Sequence, residues 1–590
     1  MEAHGTVARM LRPASLLARV LLAAAALLGP VRAEGAARYP AFGERGMVAA
    51  SCWPATVAGH EIFERGGNAI DVGVATAFAV GVCEQYHSGV GGGGFLLIRD
   101  GGSGEIYALD ARETAPAAAS PDMYLDPAGQ PRKNAARSGG LAVAVPGLLR
   151  GLLEAQDRFG RLSRQEILGP AIRIAEEGFP IGIRHRRVLL FAKRYGRFDS
   201  FPETARINLA NGEVPPLGWV LRQPELARTL RAIAREGAAA LYRGKVARAI
   251  VKAAREQGGI LTLEDLAEYR TVWRRPVRGR YRGIDIVSFP PPSSGGVHLV
   301  EMLNTLEPFD LGASGANSSR SIHTIAEAMK LAFADRAAYL GDPGFTDVPV
   351  AWLTSKAYGR QLAARIAPRP FWRKPPWRWS RPHVLRVDRA GTPPPDDSGT
   401  SHISVLDREG NAVSITQTVN LLFGSGITVP GTGIVLNDEM DDFSIARDTP
   451  NAFGLVGQRA NEIQPGKRPL SSMTPSLLLR DGQPWMVVGS PGGPRIITTV
   501  LLTILNVVDW GRNISEAVAA PRFHHQWRPD RLYLEPDFPR DVVDRLRSWG
   551  HPVFQSDRNW SSAQAILRDP ESGILYGASD PRSDGRALGF

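Results

Sequence analysis

Hydrophobic residues recur along the chain with two alternating periods, one typical of helices and one typical of strands. Helical spacing predicts helices over Ala55–Arg65, Ala69–Val82, Gln223–Glu236, Lys245–Gln257, Val297–Leu306, Ile322–Tyr339 and Ile496–Val508. Short β-rich runs predict strands over Phe95–Arg99, Ile106–Asp110, Ser476–Leu479 and Trp485–Gly489. Blocks of both kinds that alternate along one chain indicate a layered α/β-type protein.

The clearest strand pattern begins at Thr400 and predicts a β-hairpin. If residues 408–410 form its loop, Gly410 supplies the positive φ that a three-residue turn needs. That register pairs Val405 with Val413, and the next apolar pair lies on the same face. A slip by one residue would mix apolar and polar faces, so the register is well determined.

The same register places Thr418 directly opposite Thr400, with Asn420 two residues further on. Thr400 follows Gly399 at the end of a Pro/Arg-rich stretch, residues 367–399, that has no hydrophobic period. A Thr in this place is a candidate for self-cleavage, which would make it a new N-terminus. Its α-amine, with an ordinary pKa of about 7.7–8, could then activate its own hydroxyl as a nucleophile.

Two glycine-rich segments are candidates for binding an anion. Gly492 and Gly493 precede a long apolar helix and could offer backbone N–H groups to a developing oxyanion. Gly89–Gly94 follows a helix and precedes a strand, the reverse of a phosphate-binding loop, so close backbone packing is the better interpretation.

Composition and charge narrow the class of protein. The chain has 590 residues, 43% hydrophobic and 22% charged, as expected of a globular protein with a sizeable core. Its net charge of +11 could indicate an anionic partner. Arginine is scattered, however, and no nucleic-acid motif is present, so we predict no nucleic-acid partner. The tryptophans among the arginines of residues 367–399 fit a linker or processing segment better than a base-stacking surface.

The N-terminus has the features of a secretory signal. Three arginines precede the apolar run Val20–Leu28, and Val31-Arg32-Ala33 fits a cleavage site. We therefore predict that residues 1–33 are removed and that the mature protein is periplasmic or secreted. An uncleaved N-terminal anchor is the alternative, and no other run is long enough to span a membrane.

Two cysteines occur, Cys52 and Cys83, too few for a metal cluster of their own. They lie nearly equidistant from the turn of the first predicted helical hairpin, which would bring them together. An exported protein permits a disulfide there, and two unpaired buried thiols are the alternative.

Longer motifs give the chain a close resemblance to the gamma-glutamyltransferases, over Gly46 to about Asp584. The motifs that carry it are Gly66-Gly67-Asn68-Ala69, Thr400-Ser401-His402, Met440-Asp441-Asp442-Phe443-Ser444, Lys467-Arg468-Pro469-Leu470-Ser471-Ser472-Met473, Gly489-Ser490-Pro491-Gly492-Gly493 and Ala520-Pro521-Arg522-Phe523-His524-His525-Gln526. The resemblance implies the four-layer αββα sandwich of N-terminal-nucleophile hydrolases, built jointly by two subunits from one precursor. Those subunits would be residues 34–399 and the catalytic 400–590.

The resemblance also implies roles for individual residues. Thr400 matches the nucleophile, Thr418 its hydrogen-bonded partner, and Gly492 and Gly493 the oxyanion hole. The residues that match the binding site of the γ-glutamyl group are Arg112, Ser471 and Ser472 for its carboxylate and Asn420, Glu439 and Asp442 for its ammonium. The expected activity is cleavage of glutathione and related γ-glutamyl compounds, with transfer to water, amino acids or dipeptides. No metal or organic cofactor is expected.

One position departs from the relatives that carry a lid loop over the substrate. Phe453 stands where they have Tyr, and Phe cannot donate a hydroxyl hydrogen bond. We therefore expect an aromatic wall without a latch, and looser closure. Two alternatives remain for the whole chain: a cephalosporin or glutaryl acylase of the same fold, and a catalytically silent, basic, exported binding protein.

Overall fold

Two seven-stranded antiparallel sheets form the centre of the fold in a computed structural model that describes residues 39–366, 384–385, 399–446 and 449–590. The predicted signal, residues 1–33, and nearly all of the segment 367–399 lie outside the described residues. The strands are β1 (Ala41–Gly43), β2 (Gly46–Ala50), β3 (Gly93–Arg99), β4 (Ile106–Ala111), β5 (Phe179–Pro180), β6 (Val220–Leu221), β7 (Val272–Arg274), β8 (Val277–Tyr281), β9 (Ile284–Ser288), β10 (Gly399–Asp407), β11 (Ala412–Asn420), β12 (Thr428–Val429), β13 (Ile434–Val435), β14 (Ser476–Arg480), β15 (Gln483–Gly489), β16 (Phe523–His524), β17 (Leu532–Leu534), β18 (Val553–Gln555), β19 (Gln564–Arg568), β20 (Leu575–Ser579) and β21 (Arg586–Gly589).

Helices fill most of the chain between the strands. They are α1 (Trp53–Glu64), α2 (Ala69–Cys83), α3 (Leu148–Phe159), α4 (Arg164–Glu177), α5 (Ile183–Arg194), α6 (Pro202–Asn208), α7 (Pro224–Glu236), α8 (Ala239–Tyr242), α9 (Gly244–Glu256), α10 (Leu263–Glu268), α11 (Gly295–Leu306), α12 (Leu311–Ser314), α13 (Ser319–Tyr339), α14 (Val350–Leu353), α15 (Lys356–Ile366), α16 (Arg495–Val508), α17 (Ile514–Ala519) and α18 (Arg540–Trp549). The predicted helices and strands are all present, with ends shifted by a few residues. Among the described residues no helix has both the length and the apolar character needed to cross a membrane.

The two large sheets take their strands from distant parts of the chain. Sheet I has the order β21-β2-β10-β11-β3-β4-β7, and sheet II has the order β1-β20-β19-β15-β14-β9-β8. In both, strands from before Gly399 pair with strands from after it. Sheet I therefore places the predicted nucleophile strand β10 between β2 and β11, near the centre of the sheet.

Three hydrophobic clusters define four layers. Apolar side chains such as Leu97 of sheet I and Val487 of sheet II meet between the sheets. The other face of sheet I packs on helices that include α2 and α3, and the other face of sheet II packs on helices that include α11 and α16. Because both sheets are buried on both faces, helices must cover them outside, and the result is the predicted αββα sandwich.

The hairpin of β10 and β11 confirms the register that the sequence predicts. Val405 pairs with Val413 and Ile403 with Ile415, and all four side chains lie in the helix-facing core. Gly410 in the turn has φ of +83°, where a residue with Cβ would be strained. A two-residue slip would preserve these faces, and the turn glycine excludes it.

The first helical hairpin decides between the two alternatives for its cysteines in favour of a disulfide. Cys52 precedes α1, Cys83 ends α2, and the two are joined by an S–S bond with their Cα atoms 6.7 Å apart. Asn68 caps α2 by accepting hydrogen bonds from the backbone N–H groups of Ile70 and Asp71. The bond therefore ties the end of β2 to the far end of a helix packed under sheet I.

Candidate active site

Thr400 and Thr418 face one another at the start of the hairpin. Their hydroxyl oxygens are 3.2 Å apart, and both residues are buried. The Thr418 hydroxyl also donates a short hydrogen bond to the carbonyl oxygen of Gly399. Because a hydroxyl has one hydrogen, Thr400 must be the donor of the pair, so its proton points at Thr418.

A bulge exposes the peptide bond between Gly399 and Thr400 to this pair. The register shifts there by one residue, so that Gly399 lies opposite Asn420 instead of Val419. Asn420 has φ of +78° and donates its backbone N–H to the Thr418 oxygen at 2.8 Å. The Gly399 carbonyl is thereby polarised beside a hydroxyl that can attack it. The arrangement suits cleavage of this one bond.

Arg112 lies at the end of β4 and is almost fully buried. Its guanidinium donates to Asp442 at 2.6 Å, to Glu439 through a short bond, and to the Pro469 carbonyl at 3.2 Å. Burial alone would lower the pKa of Arg112, but the carboxylates, Glu439 first, raise it above its ordinary value. The residues predicted to bind a carboxylate and those predicted to bind an ammonium thus form one ion cluster.

The cluster holds more negative than positive groups. Burial raises the pKa of Glu439 well above its ordinary value, against the opposing effect of Arg112. Burial likewise raises the pKa of Glu113, next to Arg112, to about 7. Carboxylates that are hard to ionise gain from an added cation. The α-ammonium of a ligand could supply this cation beside Glu439 and Asp442. The α-carboxylate of the same ligand would then accept hydrogen bonds from Arg112 in place of the protein carboxylates.

The two serines lie on the opposite wall of the cluster, where the structure adds a residue that the sequence did not indicate. Ser472 accepts a hydrogen bond from Arg336 at 3.3 Å, and the Ser471 hydroxyl accepts one from the Met473 backbone at 3.1 Å. Arg336 comes from α13 and is buried, which lowers its pKa to about 10. Arg336 is 136 positions away from Ser472 in the sequence, so no local pattern could indicate their contact.

The predicted lid residue Phe453 covers the pocket next to Gly493. Its side chain is buried, and its ring lies so close to Gly493 that a Cβ there would come within 2.7 Å of it. Gln526 donates to the Phe453 carbonyl at 3.1 Å, and Asn451 accepts from its N–H at 3.0 Å. The loop is therefore held by backbone hydrogen bonds, with the ring as a wall.

These residues enclose a cavity of about 20 Å³, which is about the space of one water molecule. Its walls are Arg112, Thr400, Thr418, Asn420, Glu439, Asp442, Phe453, Leu455, Ser471, Ser472, Met473, Gly493 and Ile496. The structure thus brings together all of the predicted binding residues. Of the predicted oxyanion pair, Gly493 lines this pocket, whereas Gly492 lines a larger groove beside it.

A buried carboxylate behind the nucleophile strand was also missed by sequence reasoning. Glu84 accepts hydrogen bonds from Ser401 at 2.6 Å and, through a short bond, from Ser51. Burial would raise the pKa of Glu84, but hydrogen bonding and charge from His87, with Arg184 and Ser401, lower it to about 2. Glu84 and Ser51 directly adjoin the disulfide, so this bond braces the residue next to Thr400.

A second buried polar cluster has a composition that could suit a metal. His323, Glu327 and His551 bring ligand atoms within 4.8 Å of one another, and none of the three is a cysteine, the residue type considered in the sequence. Lys330, however, donates to Glu327 at 2.8 Å, and His323 and His551 are hydrogen-bonded at 2.9 Å. The ammonium already balances the carboxylate, which favours a structural role for the cluster.

The four layers and the Thr at the head of an inner strand define an N-terminal-nucleophile hydrolase fold. The family model described as gamma-glutamyltranspeptidase matches residues 55–590, and the chain belongs to that family. The glutathione hydrolase proenzyme of Escherichia coli K12 is 42% identical over 547 residues, 92% of each chain.

Acylases are relatives as well. The acylase ACY 1 proenzyme of Pseudomonas sp. SE83 is 39% identical over 93% of this chain and 94% of its own. The cephalosporin acylase structure from Bacillus halodurans superposes with a TM-score of 0.78 at 30% identity, over 95% of this chain and 99% of that one. The comparisons confirm the predicted family and fold. Relatives of both names share this fold, so substrate choice depends on the residues of the pocket.

Proposed function

We propose that the chain is the precursor of a γ-glutamyltransferase that cuts itself between Gly399 and Thr400 and then uses Thr400 as its nucleophile. The observation that carries this proposal is the hydrogen-bonded set of Thr400, Thr418 and the Gly399 carbonyl, directly beside the ion cluster of Arg112. The products of the cut would be residues 34–399 and 400–590, which remain together as one enzyme.

Self-cleavage follows from the geometry of the bulge. The Thr400 oxygen attacks the Gly399 carbonyl carbon while its proton leaves toward Thr418, and the C–N bond breaks with a proton going to the Thr400 nitrogen. The resulting ester is hydrolysed by water to a Gly399 carboxylate and a free Thr400 amine. Thr418 stabilises the negative charge that develops on the carbonyl oxygen.

The freed amine then serves the second reaction. It takes the Thr400 hydroxyl proton as the oxygen attacks the γ-carbonyl of the donor, and the proton passes to the leaving amine. Backbone N–H groups of Gly492 and Gly493 would stabilise the oxyanion. Water or the amine of an amino acid or dipeptide then attacks the γ-glutamyl ester and restores the hydroxyl.

Glutathione is the donor we propose, because a γ-glutamyl group matches the ion cluster. Its α-carboxylate would bind Arg112 and the hydroxyls of Ser471 and Ser472, and its α-ammonium would bind Glu439, Asp442 and the side chain of Asn420. A planar guanidinium binds a carboxylate through two hydrogen bonds. An ammonium beside Glu439 and Asp442 is favoured, because burial makes the charged form of Glu439 costly unless a cation lies next to it.

An acylase activity is the second candidate, since a relative of that name is 39% identical. A glutaryl group lacks the ammonium, however, and would leave Glu439 and Asp442 without a cation. Leaving buried charges unpaired costs several kcal/mol, so a γ-glutamyl donor is favoured.

Intact mass spectrometry beside donor assays tests the proposal. Wild type is expected as two chains split between Gly399 and Thr400, and Thr400→Ala as one uncut chain without activity. Thr400→Ser, which keeps a hydroxyl, should cleave more slowly. Purified wild type should hydrolyse γ-glutamyl-p-nitroanilide at least tenfold faster than glutaryl-p-nitroanilide. An uncut but folded wild type would refute the proposal, and the reverse donor preference would favour the acylase.

We also propose export of the enzyme to the periplasm or the medium, with residues 1–33 as the signal. The disulfide between Cys52 and Cys83 supports this, because disulfides persist in oxidising compartments. Cell fractionation with N-terminal sequencing of the large subunit tests it, and recovery of intact residues 1–33 in the cytoplasmic fraction would contradict it.

A further inference from the structure

A groove of about 770 Å³ lies beside the closed pocket. The two cavities share adjoining residues of one segment, because Gly492 lines the groove and Gly493 lines the pocket. In the proposed reaction the carbonyl oxygen of the scissile amide rests on these two glycines. With the γ-glutamyl group inside the pocket, the part of the substrate beyond the scissile bond therefore points toward the groove.

One wall of the groove is a single face of α5. Arg184, Arg187, Leu190 and Arg194 line it, at spacings of three to four residues that place them on one side of a helix. Arg187 and Arg194 are exposed. Within the described ranges neither of them makes an ion pair or a hydrogen bond, and Arg194 lies only near the ring of Tyr195, 6.0 Å from its centroid. These two cations are available to a ligand.

The opposite wall adds further positive charge. Arg558 is about half exposed, with a side chain 54% accessible, and its nearest acid, Asp557, is 4.0 Å away and 85% accessible. Arg582 is engaged with Glu535 at 2.6 Å. In all, six arginines line the groove against two aspartates. One of these, Asp584, is engaged by the backbone N–H of Arg184 at 3.0 Å.

We infer that this groove binds the portion of donor or acceptor beyond the scissile bond, and that Arg187 and Arg194 select portions that carry several carboxylates. The inference rests on the proposed function. The ligand class is an acidic peptide, or a chain of acidic residues, attached to the γ-glutamyl group or attacking it. Clustered cations raise the local concentration of such anions and bind carboxylates through paired N–H donors.

Two donors of equal size separate charge from shape. One is γ-glutamyl-aspartyl-aspartate, whose leaving dipeptide carries three carboxylates. The other is γ-glutamyl-asparaginyl-asparagine amide, which carries none beyond the scissile bond. The variants are Arg187→Gln, Arg194→Gln and the two together, with Arg248→Gln as the matched control. Arg248 is an exposed arginine of α9 and does not line the groove.

The Michaelis constant for the acidic donor should rise about threefold in each single variant and about tenfold in the double variant, the range expected for exposed ion pairs. Neither kcat nor the constants for the amide donor should change, and the control should behave as wild type. High salt should reduce the preference of wild type for the acidic donor.

Three outcomes would count against the inference in different ways. An unchanged Michaelis constant for the acidic donor in the double variant would overturn it. An equal rise for both donors would assign the arginines to folding or shape and would also overturn it. A wild-type enzyme that cleaves neither donor nor γ-glutamyl-p-nitroanilide would instead refute the proposed function on which the inference rests.

Discussion

The pocket and the groove beside it are built on opposite principles. The pocket has room for about one water molecule, and its charged groups are buried and already paired with one another. The groove is nearly forty times larger by the same measure, 770 against 20 Å³, and Arg187 and Arg194 stand in it without an acidic partner among the described residues. A single glycine pair, Gly492 and Gly493, divides the two.

With the proposed substrate, this difference would make the enzyme strict about the γ-glutamyl half and tolerant of the half beyond the scissile bond. A ligand that enters the pocket must replace buried ion pairs with equally good ones, so a missing ammonium or carboxylate is heavily penalised. A ligand in the groove exchanges solvent for exposed arginines, and each such contact contributes little. Substitutions in the pocket should therefore have large effects, and those in the groove small ones.

The largest effect is expected from Arg112→Gln, which breaks the pocket and spares the groove. Loss of the guanidinium leaves Glu439 and Asp442 buried without their cation and removes the carboxylate donor, so kcat/KM should fall about 10³-fold. The ratio between acidic and amide donors should stay constant. Steady-state kinetics with both donors checks this, and Arg248→Gln is the control because Arg248 is exposed and lines neither the pocket nor the groove. A fall below tenfold would contradict the assignment.

Thr418→Val should slow self-cleavage about 10²-fold by removing the donor to the Gly399 carbonyl, within the range measured for single oxyanion donors. Thr418→Ser keeps that donor and should cleave close to the wild-type rate. The time course of chain splitting, followed by intact mass after expression at low temperature, measures both. Equal rates for Val and Ser would show that the hydroxyl bond is incidental.

Glu84→Gln tests a connection between the two regions. Glu84 accepts a hydrogen bond from Ser401, the residue next to Thr400, and the charge of Arg184 in the groove lowers the pKa of Glu84. The folded-state pKa of Glu84 is lowered to about 2 from an ordinary 4.5. Its ionised form thus stabilises the fold by roughly 3 kcal/mol above pH 4.5, and this contribution declines as pH falls toward 2.

The variant should therefore unfold at a lower temperature than wild type at pH 7, and the gap should narrow at pH 3. Thermal melts of the uncut Thr400→Ala background at both pH values measure it without interference from processing. Ser103→Ala, in an exposed turn, is a control that should show no comparable gap. A gap that is the same at both pH values would mean that packing rather than charge is lost.

The smallest effect is expected from Phe453→Tyr, which adds one hydroxyl group to the aromatic ring that lines the pocket. The lid is already held through the Phe453 backbone, so an added hydroxyl can contribute only one more hydrogen bond, a few-fold in the Michaelis constant. Tighter closure should also shift the ratio of transfer to hydrolysis. If both quantities stay at wild-type values, looser closure in this chain is not the consequence of Phe453.

Local patterns predicted the parts of this molecule whose partners are close in sequence. Alternating residues and Gly410 determine the hairpin register, and that register alone places Thr418 against Thr400. The closeness of Cys52 and Cys83 was predictable for the same reason, since one short turn relates them, but the sequence left open whether they form the disulfide that the structure shows. The family resemblance supplied the remaining pocket residues, and the structure brings them around one cavity.

The parts that the sequence could not predict depend on contacts between distant segments. Arg336 meets Ser472 from 136 positions away, and Glu84 meets Ser401 from 317. Each of these residues lies in a helical or strand pattern that explains it as core or surface, so nothing local marks it. The arginines of α5 form a groove only because residues 557–561 and 581–584 fold against that helix.

The interleaving of strands from before and after Gly399 should hold the two products of the cut together. In sheet I, β2 is flanked by β21 and β10, so a strand from before the cut lies between two from after it. Separating the products would require both to unfold, because each of the two large sheets contains strands from both products. The two products should therefore dissociate very slowly after dilution, because separation has to wait for unfolding. Two pieces synthesised separately would each start as an incomplete fold with open edges, prone to aggregate before they meet.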